Sequence, residues 1–316
     1  EGKEAGWHVL IGGNGAGKST IVRSIAAVLI GPDEIGQIRP YWDEWLARAQ
    51  NTGSINLKLT RNINWDSSSR TPPLKNSLLI NKFTFSRDEV ISEKIRLSSN
   101  ATASQGVKGN PNNFNWGGNA GWFSVAYGPF RRFTGGNSEW SKVYYSAPKA
   151  GAHLSIFGED VALTEALEWF KELDRKRLKE KEISSDSKPE AEFILDGVKQ
   201  FINSSNLLPD NAKFDAVNLD GQPEFIDANG CAIPITQLSD GYRSILSLTF
   251  ELLRQLIRVY GSAKVFPPGV ESVSHFDLPG VVLIDEIDAH LHPTWQTRIG
   301  QWFTKHFPEL QFIVTS

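Results

Sequence analysis

Along the chain the period of the apolar positions changes repeatedly, and each change predicts an element. Trp7 to Ile11 forms a short apolar run suited to a buried strand, after which Ile21, Val22, Ile25, Ala26, Val28 and Leu29 recur at helical spacing. Alternating apolar and polar residues over Ser54–Leu59, Leu78–Phe85 and Glu89–Leu97 predict antiparallel strands, and the Gly-, Asn- and Ser-rich stretch Ser98–Asn119 predicts a loop. Trp122–Ala126 reads as a further strand. Leu167, Trp169, Phe170, Leu173 and Leu178, set among charges, predict a surface helix with an apolar stripe over Thr164–Ile183, and a second helix over Ala191–Ser204. Phe214–Leu219, Pro223–Asp227 and Cys231–Ile235 are short strand candidates separated by the turn signals Asp220-Gly221 and Asn229-Gly230. Ile245 to Ile257 is a long helical pattern. Val281–Ile284 is four apolar residues in a row, as a strand buried on both faces requires, and Gln311–Ser316 is a last strand candidate.

Three segments at the ends of these elements carry candidate chemistry. Gly12-Gly13-Asn14-Gly15-Ala16-Gly17-Lys18-Ser19-Thr20 lies between a strand and a helix, the context that a phosphate-binding loop needs. Its glycines let successive backbone N–H groups face α- and β-phosphates. Lys18 is the candidate cation toward the β- and γ-phosphates, and the Ser19 hydroxyl a candidate magnesium ligand. Asp285 and Glu286 end the apolar strand, where open α/β sheets bind ligands, so Asp285 is the candidate second magnesium ligand and Glu286 the candidate base for the attacking water. Gln237-Leu238-Ser239-Asp240-Gly241-Tyr242-Arg243-Ser244 precedes the long helix; Ser239 and Gly241 there read either as a helix cap and turn or as an anion site at a helix N-terminus.

Composition narrows the setting. The 316 residues, 40% of them hydrophobic, suffice for a large core. A single cysteine, Cys231, excludes an internal disulfide framework and fits a reducing compartment, and no apolar run is long enough to cross a bilayer, so a cytoplasmic protein is expected. The net charge of -3 offers no global attraction to nucleic acid, leaving a local patch or a partner for any such contact. Methionine is absent, where ordinary usage gives several.

Together, the three segments resemble the ABC-type ATPase heads of the SMC, Rad50 and RecF group within the AAA family, with Leu238 to Ser244 at the signature position, Asp285 to Pro293 at the Walker B and D-loop region, and Gln311–Ser316 at the strand before a switch histidine. The Leu291-His292-Pro293 ending and the Ser239 to Ser244 form are similar to bacterial ATPases of the overcoming-lysogenization-defect type and of the Septu antiphage system, as is Ala126-Tyr127-Gly128-Pro129-Phe130-Arg131-Arg132. The close resemblance covers about the first thirty residues and the last eighty. It implies an α/β P-loop NTPase fold: a mainly parallel core sheet (1–30 with 205–316), an antiparallel β-subdomain with a loop (31–150) and a compact helical insertion (151–204) too short for the long coiled coil of that group.

It also implies a soluble ATPase using ATP and Mg2+, forming a head-to-tail homodimer in which Ser239 and Gly241 of one chain meet the γ-phosphate held by Asn14 to Thr20 of the other. The implied role is regulation of a nucleic-acid-directed effector, a nuclease above all, in antiphage defence or DNA repair. A transporter's nucleotide-binding subunit and a nucleotide-bound assembly scaffold are the competing classes. Asp240 stands where transporter signatures carry glycine and adds negative charge beside the phosphate. The Q-loop glutamine has three candidates, Gln37, Gln50 and Gln105; Trp42 and Trp45 read either as core or as an adenine platform; and Arg131-Arg132 reads as either a phosphate clamp or a solvated pair.

Overall fold

A computed structural model describes residues 4–38, 42, 45–68, 78–87, 95–103, 113–118, 120–130, 142–143, 146–158, 164–183, 189–208, 212–270, 272–289, 291 and 293–316. Four strands make a parallel sheet: β1 (Gly6–Leu10), β5 (Ser124–Tyr127), β9 (Gly280–Ile284) and β10 (Leu310–Thr315), in the order β1-β10-β9-β5. Their C-terminal ends share one edge. β5 lies within the span grouped with the antiparallel strands from sequence, yet it pairs in parallel with β9, because all four of its residues are buried and only a sheet covered on both faces hides them.

The alternation along these strands separates two faces. Leu283, Ile313 and Ala126 pack against Val22, Ala26 and Leu29 of α1 (Lys18–Ile30). Val282, Ile284, Phe312 and Val314 face the opposite way, into the main core, which holds α5 (Asp240–Tyr260) and α6 (Ile299–His306). Also in that core are α3 (Thr164–Ile183) and α4 (Glu190–Ser204): Phe170 meets Phe250 of α5 at 4.8 Å, and Phe201 meets Phe307 at 6.0 Å. An antiparallel sheet, β6 (Lys213–Val217), β7 (Pro223–Ile226) and β8 (Ala232–Pro234), adds Phe214 and Phe225 to the same cluster.

A third sheet, β2 (Thr52–Thr60), β3 (Leu78–Arg87) and β4 (Ile95–Ala103), is antiparallel and packs with α1 and α2 (Pro32–Ile38). β4 extends to Ala103, into the stretch expected to be a loop, because backbone pairing with Leu79 to Ser86 overrides the weak strand propensity of its Ser and Asn residues. Trp42 is buried edge-on to Trp45 at 5.0 Å and against Phe85 at 5.3 Å, so the pair belongs to the core.

Candidate functional site

The phosphate-loop motif and the carboxylate motif meet at the C-terminal edge of the parallel sheet. β1 hands the chain to the exposed loop Gly12–Ala16, and α1 begins at Lys18. Gly15 (φ 79°) and Gly17 (φ 86°) take left-handed backbone conformations that a side chain disfavours, so the turn into α1 needs glycine at both. Gly17 provides no side-chain cap and the first turn carries no acid, so no residue of α1 itself offsets the positive end of its dipole. Ala16 N–H donates to the Gly13 carbonyl at 3.2 Å. The Lys18 ammonium donates to the carbonyls of Gly12 at 2.5 Å and Gly13 at 3.3 Å, curled over its own loop, while Asn14 and Thr20 are exposed beside it.

Asp285 is buried at the end of β9, and its Oδ1 accepts from two hydroxyls, Ser19 at 3.1 Å and Thr315 at 2.6 Å. Its backbone N–H donates to the Tyr127 carbonyl at 2.8 Å, tying β9 to β5. Thr315 also accepts the Glu286 N–H at 2.7 Å. Glu286 has φ 49°, a conformation costly for a residue with a side chain, and its side chain is exposed at the sheet edge. One buried hydroxyl thus orients both carboxylate-bearing residues. Thr315 was not singled out from the sequence; its signal is its place at the end of the last strand, which only the register opposite β9 makes informative.

Asp285 and Ser19 are two oxygen donors in contact, a hard pair that fits a magnesium ion, which is usually held by one or two carboxylates together with phosphate oxygens. No cluster of three or more acidic, His or Cys side chains that could hold a metal occurs among the described residues.

The Ser239 segment stands apart from that constellation. α5 and α1 cover opposite faces of the sheet, so the helix that follows Ser239 belongs to the other layer. Ser239 occupies the cap position of α5, yet its hydroxyl makes no capping bond; Gly241 lies in the first turn. Asp240 pairs with Arg243 one turn on, which offsets the charge expected to face a phosphate. Gln37 accepts from Ser146 Oγ at 3.4 Å, and the Gln50 carbonyl accepts from Arg87, while Gln105, Arg131, Arg132, His290 and His292 lie outside the described residues. No described helix is long and apolar enough to cross a membrane.

Residues 150–316 match the family model described as "AAA domain, putative AbiEii toxin, Type IV TA system". Among similar proteins, the "Septu protein PtuA" of Bacillus mycoides (strain KBAB4) is 25% identical over 99% of this chain and 34% of its own length. The "Retron Ec83 probable ATPase" of Escherichia coli is 40% identical over 29% of the chain and 15% of its own, and the "Retron Vc95 probable ATPase" of Vibrio cholerae serotype O1 biovar El Tor 38% identical over 28% and 15%. The chain therefore spans about a third or less of the length of these relatives.

Proposed function

The chain belongs to this family of AAA domains, and from that premise we propose that it binds and hydrolyses ATP and couples the cycle to a nucleic-acid-directed effector, a nuclease above all, in bacterial antiphage defence. The setting rests on the names of the relatives, Septu and retron proteins. The observation that carries the ATPase reading is the direct contact of Ser19 Oγ with Asp285 Oδ1, which joins two motifs 266 residues apart into one polar site at a helix N-terminus.

In this reading the loop N–H groups and the start of α1 receive the phosphates, and Lys18 exchanges its two loop carbonyls for phosphate oxygens. Ser19 and Asp285 hold magnesium, which when bound neutralises charge on the β- and γ-phosphates. Glu286 accepts the proton of the attacking water at the exposed edge. Ser239 and Gly241, on the opposite layer from α1, complete the site of a second copy in a head-to-tail homodimer; the uncapping hydroxyl of Ser239 supports that role.

Turnover and oligomeric state measured together test the proposal. Glu286→Gln should retain ATP binding, accumulate the ATP-bound dimer and lose hydrolysis, whereas Ser239→Arg should bind ATP as a monomer only. Undiminished hydrolysis by Glu286→Gln would sink the assignment of the base, and an ATP-dependent dimer of Ser239→Arg would sink the composite site.

A further inference from the structure

A cavity of about 430 Å³ opens at the other edge of the parallel sheet. Ser124 and Gly280, the first residues of β5 and β9, line it together with Gln311 of β10, whereas Asp285 and Ser19 stand beyond the C-terminal ends. β9 is five residues long, so the two places are roughly 15 Å apart at the ordinary rise of a strand. The rest of the wall includes β2, the 61–66 turn, Asn115, Trp122 and Lys149, with the carboxylates of Glu4 and Glu309 also on it. The volume suits a molecule of mononucleotide size or smaller.

The polar groups in this cavity are unevenly satisfied. Its buried acid is used: Asp66 Oδ1 accepts the Trp122 N–H at 2.6 Å and Oδ2 the Asn62 N–H at 2.9 Å. Glu4 accepts from Thr60 at 2.7 Å. The donors are left over. Lys149 Nζ donates to the Asn115 carbonyl, an ammonium with three protons and, among the described residues, one such partner. Asn115 is matched by Asn81 on its oxygen side, and its buried NH2 has no acceptor among the described residues. The Ser124 hydroxyl is buried with no partner among the described residues. Burial draws the Lys149 pKa down to about 8 from 10.5, despite Glu34 and Asp66 nearby, so the charge is held there at a cost. Buried donors without acceptors are rare in folded proteins, and an ordered water or a ligand that brings an acceptor satisfies them.

We propose that this cavity is a ligand site, separate from the phosphate loop, for a small molecule bearing an oxyanion, phosphoryl or carboxylate, which Lys149, Asn115 and Ser124 receive. The Lys149 ammonium meets the anion's charge, and the amide and hydroxyl donate to its remaining oxygens. The site touches the first residues of β5 and β9, the strands whose far ends bring Tyr127 and Asp285 together, so an occupant braces the sheet that carries the candidate magnesium ligand.

Calorimetric titration tests this in the Lys18→Ala chain, whose phosphate loop has lost its cation and so competes little for anions. Inorganic phosphate, adenosine 5′-monophosphate and succinate serve as separate probes, distinguishing a phosphoryl from a carboxylate ligand. Saturable binding of at least one probe is expected, weakened roughly tenfold or more by Lys149→Met and severalfold by Ser124→Ala, as loss of a charged and of a neutral hydrogen bond implies. No saturable binding of any probe at millimolar concentration overturns the proposal, as does equal affinity in Lys149→Met. Should Lys149→Met lose its fold, Ser124→Ala decides alone, and an undiminished affinity there has the same consequence.

Discussion

Thr315→Val is the most informative single change outside the motifs. Valine keeps the shape of threonine but removes the hydroxyl that donates to Asp285 at 2.6 Å and accepts from Glu286 N–H at 2.7 Å. Thr315 is fully buried, so water cannot replace either bond. A hydrogen bond to a charged carboxylate contributes about 1.5–3 kcal/mol, and an N–H left unpaired costs about 1–3 kcal/mol more. Ser19 still donates to Asp285, at the longer distance of 3.1 Å, which limits the loss. The expected destabilisation is therefore about 2–4 kcal/mol, read as the midpoint of urea unfolding at constant slope. If Asp285 holds magnesium as proposed, turnover should fall about 10–100-fold, the effect typical of losing a partner that orients a metal ligand. Thr315→Ser is the control: it keeps both bonds and loses one methyl group, so it should retain turnover and cost about 1 kcal/mol. Equal midpoints and equal turnover for the Val and Ser variants would refute the claim that this hydroxyl positions Asp285 and Glu286.

Other expectations follow from strain, fit and buried charge. Because Glu286 has φ 49°, Glu286→Gly should be more stable than Glu286→Ala by about 1 kcal/mol in paired unfolding curves while both lose turnover; an Ala variant as stable as Gly would show that the conformation is not strained. A Cβ on Gly128 would lie 2.1 Å from the Ser155 carbonyl oxygen, so Gly128→Ala should cost about 1–3 kcal/mol by displacing the 154–156 turn from β5, and an unchanged melting profile contradicts this. Lys149, with its pKa lowered from 10.5 to about 8 mainly by burial, is charged in the folded chain at neutral pH at an unfavourable cost of about 3 kcal/mol. Between pH 8 and 10.5 the unfolded chain binds more protons at this position than the folded one, so its contribution to stability rises with pH. Lys149→Met should then exceed the parent at pH 7 by about 2 kcal/mol, after loss of the bond to Asn115, with the margin shrinking toward pH 10.5. Chemical denaturation of both proteins at pH 7 and pH 10 measures it, and a margin that is absent or independent of pH refutes the assignment.

Much of the secondary structure was legible along the chain because its signals are local. The helix Thr164–Ile183 has the bounds its apolar stripe predicts, and α5 starts directly after Ser239, where polar turn residues give way to helical spacing. The glycine loop and the acidic strand end were legible for the same reason: phosphate loops and sheet-edge carboxylates are written in consecutive residues. Pairing was not. β5 reads simply as a strand, and only its burial on both faces puts it beside β9 in a parallel sheet. β4 continues through serine and asparagine because a partner strand supplies the hydrogen bonds.

What the sequence by itself determined, then, is the chemistry available at each element's end: glycines with Lys18 and Ser19 after β1, and Asp285 with Glu286 after β9. Only the tertiary structure decided which of these ends meet. Parallel register sets Thr315 beside Asp285, the order β1-β10-β9-β5 brings Ser19 to the same carboxylate, and the two-faced sheet puts α5, with Ser239 at its head, in the opposite layer from α1. The reason is physical: side-chain chemistry and local propensity act over a few neighbours in the chain, whereas burial of apolar faces is satisfied only by segments far apart in sequence.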